Sequence, residues 1–287
     1  MNAGKDLRAL IAGGEIVMAP GASDSLTARL VERAGFLAVY MTGFGATASR
    51  LGMPDIGLLS QTEMTEHARN MTRAVSIPVI ADADTGYGGP SNIQRTVREY
   101  IQAGVAAIHL EDQVAPKRCG QLAGIRLIDA EENAARLRCA VAARGDDDLL
   151  VIGRTDAMPA LGAEEAIRRA LLYREAGVDL VFVDGIKKIA EVEAVAKSVP
   201  GPKVVSIVDG NETTALTAAE LQQMGFSVVF YALSALFSAV KAVGDTLDEL
   251  RRTGTPKGRA GSMVTYPEFS AVVGLPGHQE WADRFGG

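Results

Sequence analysis

The chain is 287 residues long, 47 % hydrophobic and 22 % charged, with a formal net charge of −6. This is the composition of a soluble globular protein with a real core, and the length suits one large domain or two small ones. An acidic balance without a basic patch argues against nucleic acid or an anionic membrane as partner.

The first residues, MNAGKDLRALIAGGE, alternate charged and apolar side chains and contain no signal-peptide core. No apolar stretch approaches the roughly 20 residues of a spanning helix, so the expected home is the cytoplasm. Residues 4–13 read as a short amphipathic helix. Eight apolar, strand-like runs follow, at 16–19, 37–42, 77–83, 105–111, 149–155, 179–184, 203–208 and 227–231. Helix-patterned segments separate them. Four of these, VERAGF, YIQAGV, YREAGV and LQQMGF, close on the glycine expected after a helix. Strands buried on both faces and alternating with helices mean parallel βαβ units. Eight in about 230 residues predict an α/β fold, a (β/α)8 TIM barrel. A doubly wound sheet fits less well, because no GxGxxG follows the first strand.

The third run leads into IPVIADADTGYGG, with Asp82 and Asp84 two residues apart. On a strand, side chains at i and i+2 share a face, so the pair predicts a hard divalent cation held by oxygen ligands. Turn aspartates capping the next helix are the competing account. In a barrel, the site forms at the C-terminal strand ends. Those ends carry Ser23, Thr42, Asp82, Asp84, Glu111, Arg154 and Asp184, and Tyr40 shares a face with Thr42. Many acids with one strong cation suit a metal and an anionic substrate clamped by arginine.

After the fourth run, the segment 113–128 is too long and polar for an ordinary βα loop and reads as a lid. It carries Lys117, Arg118, Cys119 and Gly120, and the flanking cations would favour a Cys119 thiolate. Cys139 lies in a helix pattern and reads as a small buried residue. Two cysteines are too few for a disulfide framework or a zinc site. His67, His109 and His278 show no metal-ligand spacing. Residues 232–254 read as an amphipathic helix pair, 256–263 as a linker, and the tail as a Pro-Gly turn with apolar rings needing cover. The expected organisation is one barrel domain over 1–287 with a helical extension from about 244.

DADTGYG after a strand, IHLEDQ after the next, and PKRCG in the lid resemble the isocitrate lyase/phosphoenolpyruvate mutase superfamily. The likeness extends from PGASDSLTARL through TGFGATASRLGMPDIGLL to ALSALFSAVKAV. Within the superfamily, the short carbon–carbon lyases acting on 2-methylisocitrate and 2,3-dimethylmalate are most similar. The resemblance implies one Mg2+ (Mn2+ as substitute) on Asp82 and Asp84, with Asp55 and Glu111 reaching it partly through water. It implies that Thr42 and Gly43 hold the substrate carboxylate, Arg154 the reacting end, and that Tyr40 lies near the substrate oxygen. Cys119 matches a lid cysteine that protonates the leaving carbanion, and Lys117 beside it joins the catalytic set. Gly120, Gln121, Asp184 and Ser206 belong to the substrate pocket. A homotetramer with the last helices exchanged between subunits is also implied.

The expected reaction cleaves a 2-hydroxy di- or tricarboxylate to a 2-oxo acid such as pyruvate plus a carboxylate. Oxaloacetate hydrolysis or decarboxylation on the same metal is the alternative, and a non-catalytic 2-oxo acid binder is another. The departures concentrate on one side. Gln121 replaces the histidine of KRCGH, Asp184 a glutamate, and Ser206 an asparagine. Gln121 can donate hydrogen bonds but cannot relay a proton. The distal substituent of the substrate is therefore expected to differ from that of isocitrate.

Overall fold

Eight strands close on themselves in chain order: β1 (Val17–Ala22), β2 (Val39–Met41), β3 (Val79–Asp82), β4 (Ala107–Leu110), β5 (Leu150–Thr155), β6 (Leu180–Val183), β7 (Lys203–Ile207) and β8 (Val228–Tyr231). All pairings are parallel, and β8 returns to β1 with Val17 opposite Val228. This is the expected (β/α)8 barrel, seen in a computed structural model that describes residues 2–286.

The helices run as α1 (Ala3–Ala12), α2 (Ser25–Arg33), α3 (Gly43–Leu51), α4 (Gln61–Ala74), α5 (Pro90–Ala103) and α6 (Ala130–Arg144). Then come α7 (Ala157–Leu161), α8 (Ala163–Glu175), α9 (Ile189–Ser198) and α10 (Ala218–Gln223). Local chemistry sets their ends. Ser60 and Glu63 form a capping box at α4, and α5 opens on a first-turn proline. The four glycines expected to end helices, Gly35, Gly104, Gly177 and Gly225, all take positive φ.

Two layers of core hold the barrel. Between strands and helices lies a large cluster of Ala, Val, Leu and Met. Inside the barrel, Val17, Ile80, Leu150, Leu180 and Val228 meet Leu7 of α1. Above them sits an aromatic layer from alternate strands. Tyr40 stacks on Phe230 at 4.0 Å between centroids, and Phe182 meets Phe230 edge-on at 5.6 Å. His109 joins this layer 5.8 Å from Phe182.

By its internal contacts the chain divides into two units, Met1–Ser234 and Ala235–Gly287. The second is helical, with α11 (Ser234–Thr253), a 3-10 turn (Lys257–Ser262), α12 (Tyr266–Val272) and α13 (Leu275–Phe285). Several expectations are corrected here. The helix pair is one continuous helix, because Gly244 keeps a helical φ and open space around its Cα. That helix runs from Ser234 to Thr253. The linker contains a 3-10 turn, and the Pro-Gly pair opens α13, since proline is tolerated in a first helical turn. Trp281 and Phe285 contact each other at 4.7 Å and remain more than half exposed. Among the described residues no helix is long and apolar enough to cross a membrane.

Phe230 is fully buried and carries the stack beneath Tyr40. Replacing it by alanine should cost about 3–5 kcal/mol of stability, measurable as a shift in the denaturant midpoint.

Candidate active site

The C-terminal ends of the strands gather an excess of acid. Among the described residues, Asp55, Asp82, Asp84, Glu111, Asp156 and Asp184 pair with two permanent cations, Lys117 and Arg154, with the His109 ring beside Asp82. All but Asp184 are buried.

The two aspartates of the ADAD run meet, but not by strand alternation. β3 ends at Asp82, and Asp84 sits beyond it in the left-handed region at φ 46°. That turn lets the Asp84 N–H donate to Asp82 Oδ1 at 2.9 Å. Asp82 Oδ2 accepts from the Gly43 N–H at 3.2 Å. Burial disfavours the Asp82 anion, yet His109, Lys117, Arg154 and the Asp84 N–H hold its carboxyl below the usual range. Asp84 goes the other way. Burial and the neighbouring Asp82 and Asp55 charges raise it to about 6 despite Lys117.

Lys117 reaches in from the lid. Its Nζ lies 2.8 Å from Asp55 Oδ2 and 2.8 Å from Asp84 Oδ1. Burial would strip its proton, but Asp84, Asp82, Glu111 and Asp55 keep it strongly protonated. Among the described residues, no three His, Cys, Asp or Glu side chains gather tightly enough to hold an ion. Two of the four expected ligands are bound to this ammonium instead.

The residues nonetheless fit a hard divalent cation. Both carboxylate oxygens of buried Glu111 lack a hydrogen-bond partner, with only Arg154 Nε near, 3.3 Å from Oε2. Burial, with Asp156 and Asp82 close by, drives its carboxyl well above the usual range. An orphaned acid beside three more oxygen donors matches the ligand set of Mg2+ or Mn2+.

Thr42 caps α3 by accepting the Gly45 N–H at 3.1 Å, so Thr42 and Gly43 sit at a helix N-terminus suited to a carboxylate. Tyr40 Oη lies 3.0 Å from His109 Nε2. Burial and the Asp82 charge keep the Tyr40 phenol protonated, and burial lowers His109 to about 4, leaving a neutral imidazole. Arg154 is held by acids, with Nη2 2.6 Å from Asp184 and 2.9 Å from Asp156.

The lid lies over this site. The Cys119 N–H donates to the Asp55 carbonyl at 3.1 Å. Gly120 is pressed so close to Asp184, Asp156 and Arg154 that a Cβ would stand 2.6 Å from Asp184 Oδ2. Gln121 Oε1 accepts from Asn211 Nδ2 at 3.2 Å, while its buried Nε2 has no partner. Ser206 lines the same cavity, about 40 Å3 in volume, with Tyr40, Asp82, Cys119 and Arg154. That space holds a few waters.

Two expected features change. Ser23 is not drawn in; its hydroxyl donates to Asp24, the α2 cap. Cys119 is not a favoured thiolate. Arg118 points to the Ala123 carbonyl and Lys117 is claimed by acids. Burial, with Asp184 and Asp55 near, pushes the Cys119 thiol up to about 11. Cys139 is only partly buried, its thiol 3.5 Å from the Pro90 carbonyl. Sequence reasoning missed His109, Asp156, Gln113 and Asn211. His109 and Asp156 stood two residues from Glu111 and Arg154, so the same alternation rule was available to find them. Asn211 lies in a turn and carried no signal.

A thiol held near 11 should be alkylated by iodoacetamide slowly at pH 8. Its rate should keep rising with pH past 9.5 rather than levelling near the ordinary thiol range, as rate–pH profiles of the Cys119 peptide would record.

Residues 7–251 match the family model described as phosphoenolpyruvate phosphomutase. The chain is 42 % identical to 2,3-dimethylmalate lyase of Eubacterium barkeri, covering 96 % of this chain and 95 % of that one. It is 38 % identical to 2-methylisocitrate lyase of Aeropyrum pernix, over 96 % and 88 %. Among solved structures, oxaloacetate acetylhydrolase with 3,3-difluorooxalacetate superposes with a TM-score of 0.93 at 36 % identity, covering 100 % and 98 %. Phosphonopyruvate hydrolase with oxalate and Mg2+ gives 0.90 at 33 %, over 99 % of each chain. With lyases and hydrolases of this one barrel type on every side, the chain belongs to the phosphoenolpyruvate mutase/isocitrate lyase superfamily.

Proposed function

We propose that this protein is a Mg2+-dependent carbon–carbon lyase that cleaves a substituted malate or methylisocitrate-like 2-hydroxy acid to a 2-oxo acid and a carboxylate. The observation that carries the reading is the cavity in which Cys119, from the segment 113–128, meets Tyr40, Asp55, Asp82 and Arg154, with burial holding the Cys119 thiol protonated. A nucleophilic cysteine would need the opposite shift, whereas a thiol raised by burial enters the reaction with its proton on.

Asp82, Asp84, Asp55 and Glu111 would hold the metal, with Lys117 giving up Asp55 and Asp84. Once bound, the metal supplies Lewis-acid stabilisation to negative charge on the 2-oxygen. Thr42 and Gly43, at the α3 N-terminus, bind the adjoining carboxylate. Tyr40, backed by His109, is the group assigned to the 2-oxygen. Arg154 binds the end that leaves, exchanging one of its acid partners for the substrate carboxylate. As the C–C bond breaks, the 2-hydroxyl proton passes by way of Tyr40 to the neutral His109 imidazole, 3.0 Å from Tyr40 Oη, and Cys119 gives its proton to the departing carbon while the closed lid excludes water.

Oxaloacetate hydrolysis is the second reading, favoured by the likeness to oxaloacetate acetylhydrolase. An exchanged-helix oligomer is supported by the exposed apolar row Val240, Val243 and Leu247 on α11. A cytoplasmic location remains part of the same proposal.

The test is 2-oxo acid release from 2-alkylmalates, citramalate, methylisocitrate and oxaloacetate. Cleavage of one hydroxy acid is expected, abolished by EDTA and lowered about 100-fold or more by Cys119→Ser. Cleavage that survives both treatments overturns the lyase reading. Oxaloacetate turnover alone, kept in Cys119→Ser, selects the hydrolase.

A further inference from the structure

The lid is fastened at two levels. Its base is a short antiparallel ladder, with Val114 N donating to Arg126 O at 2.8 Å and Ile128 N to Asp112 O at 3.0 Å. Gln113 pairs with Leu127 inside that ladder, so its main chain does not move with the tip. Its side chain is 2 % exposed and turns toward the tip. Oε1 accepts the Arg118 N–H at 2.9 Å, and Nε2 donates to the Arg118 carbonyl at 2.7 Å. One amide thus grips both backbone groups of the residue before Cys119, as a neighbouring strand would.

The same Nε2 makes a third bond, 2.8 Å to Asp156 Oδ2. The other oxygen, Asp156 Oδ1, accepts from Arg154 Nη2 at 2.9 Å and Nε at 3.2 Å. Asp112 Oδ1 accepts the Asp156 main-chain N–H at 3.0 Å, and Asp112 is itself held by Thr155, Arg169 and Tyr173. Asp156 therefore has a rigid backbone, and its carboxylate is oriented from one side by Arg154 and from the other by Gln113. Gln113 Nε2 thus bridges the Arg118 carbonyl on the lid and the Asp156 carboxylate behind Arg154.

We propose that Gln113 is a positioning residue that ties lid closure to the orientation of Arg154, so that the proton donor and the substrate-binding cation are set in one event. This rests on the reading of Arg154 and Cys119 as the groups acting on the leaving fragment. It explains why the three hydrogen bonds of the Gln113 amide all go to the lid and to the acid behind Arg154.

The test needs no substrate. Iodoacetamide labelling of Cys119 reads lid opening, followed by peptide mass spectrometry with Cys139 as internal reference. Gln113→Leu should raise Cys119 labelling about tenfold or more, as loss of buried hydrogen bonds to a closed state implies, with Cys139 unchanged. Asp156→Ala, which never touches Cys119, should raise it too. The double variant should exceed the larger single effect little, because both act through one link. Gln113→Glu keeps the shape and repeats the test if the leucine variant does not fold. Unchanged labelling, strictly additive effects, or an equal rise at Cys139 would overturn the proposal. With a substrate in hand, Gln113→Leu should lower kcat about tenfold with little change in KM. Absence of turnover on the whole panel would count against the proposed function and leave the labelling result standing.

Discussion

Buried negative charge at the mouth of the barrel governs this structure. Six carboxyls converge where eight strands end, and two permanent cations, Lys117 and Arg154, answer them. Uncompensated charge in a low-dielectric site is expensive, so each cation is claimed by several acids and the surplus acids are pushed toward their protonated forms. The arrangement is costly for stability and makes sense as a place kept ready for cations and anions brought from solution.

The lid is part of that balance rather than a cover laid over it. Lys117 contributes the charge that lets Asp55 and Asp84 stay buried. Cys119, two residues further on, is desolvated in the same place, and burial pushes its thiol up to about 11. Gly120 follows, placed where the closeness of Asp184 and Asp156 leaves no space for a side chain. Lys117, Cys119, Gly120 and Gln121 therefore meet four distinct demands: charge, a protonated thiol, clearance and contact with the distal pocket. A lysine held between two expected metal ligands also means that cation binding and lid position draw on the same carboxylates.

The distal side is built differently. Ser206, Gln121 and Asn211 are neutral hydrogen-bonding groups, and Gln121 Nε2 presents an unanswered donor. The nearest acid, Asp184, is bound to Arg154 at 2.6 Å. The acid-rich side of the cavity is thus strongly ionic, while the side of Ser206, Gln121 and Asn211 offers neutral hydrogen-bonding groups.

The sequence alone determined the barrel, because eight buried runs separated by glycine-terminated helices admit few other topologies. It also determined the acids, the arginine and the lid cysteine, since strand ends and an overlong loop are readable as local pattern. Tertiary structure alone decided their partners. Alternation pointed to a shared face for Asp82 and Asp84, but a left-handed turn brings them together. Flanking cations suggested a thiolate at Cys119, but burial and distant acids reversed it. The single helix of 234–253 was read as two because a lone glycine signals a break only when tertiary contacts use it as one. Charge state depends on which groups meet across the barrel, separated by 40 or more residues along the chain, and no local pattern records those meetings.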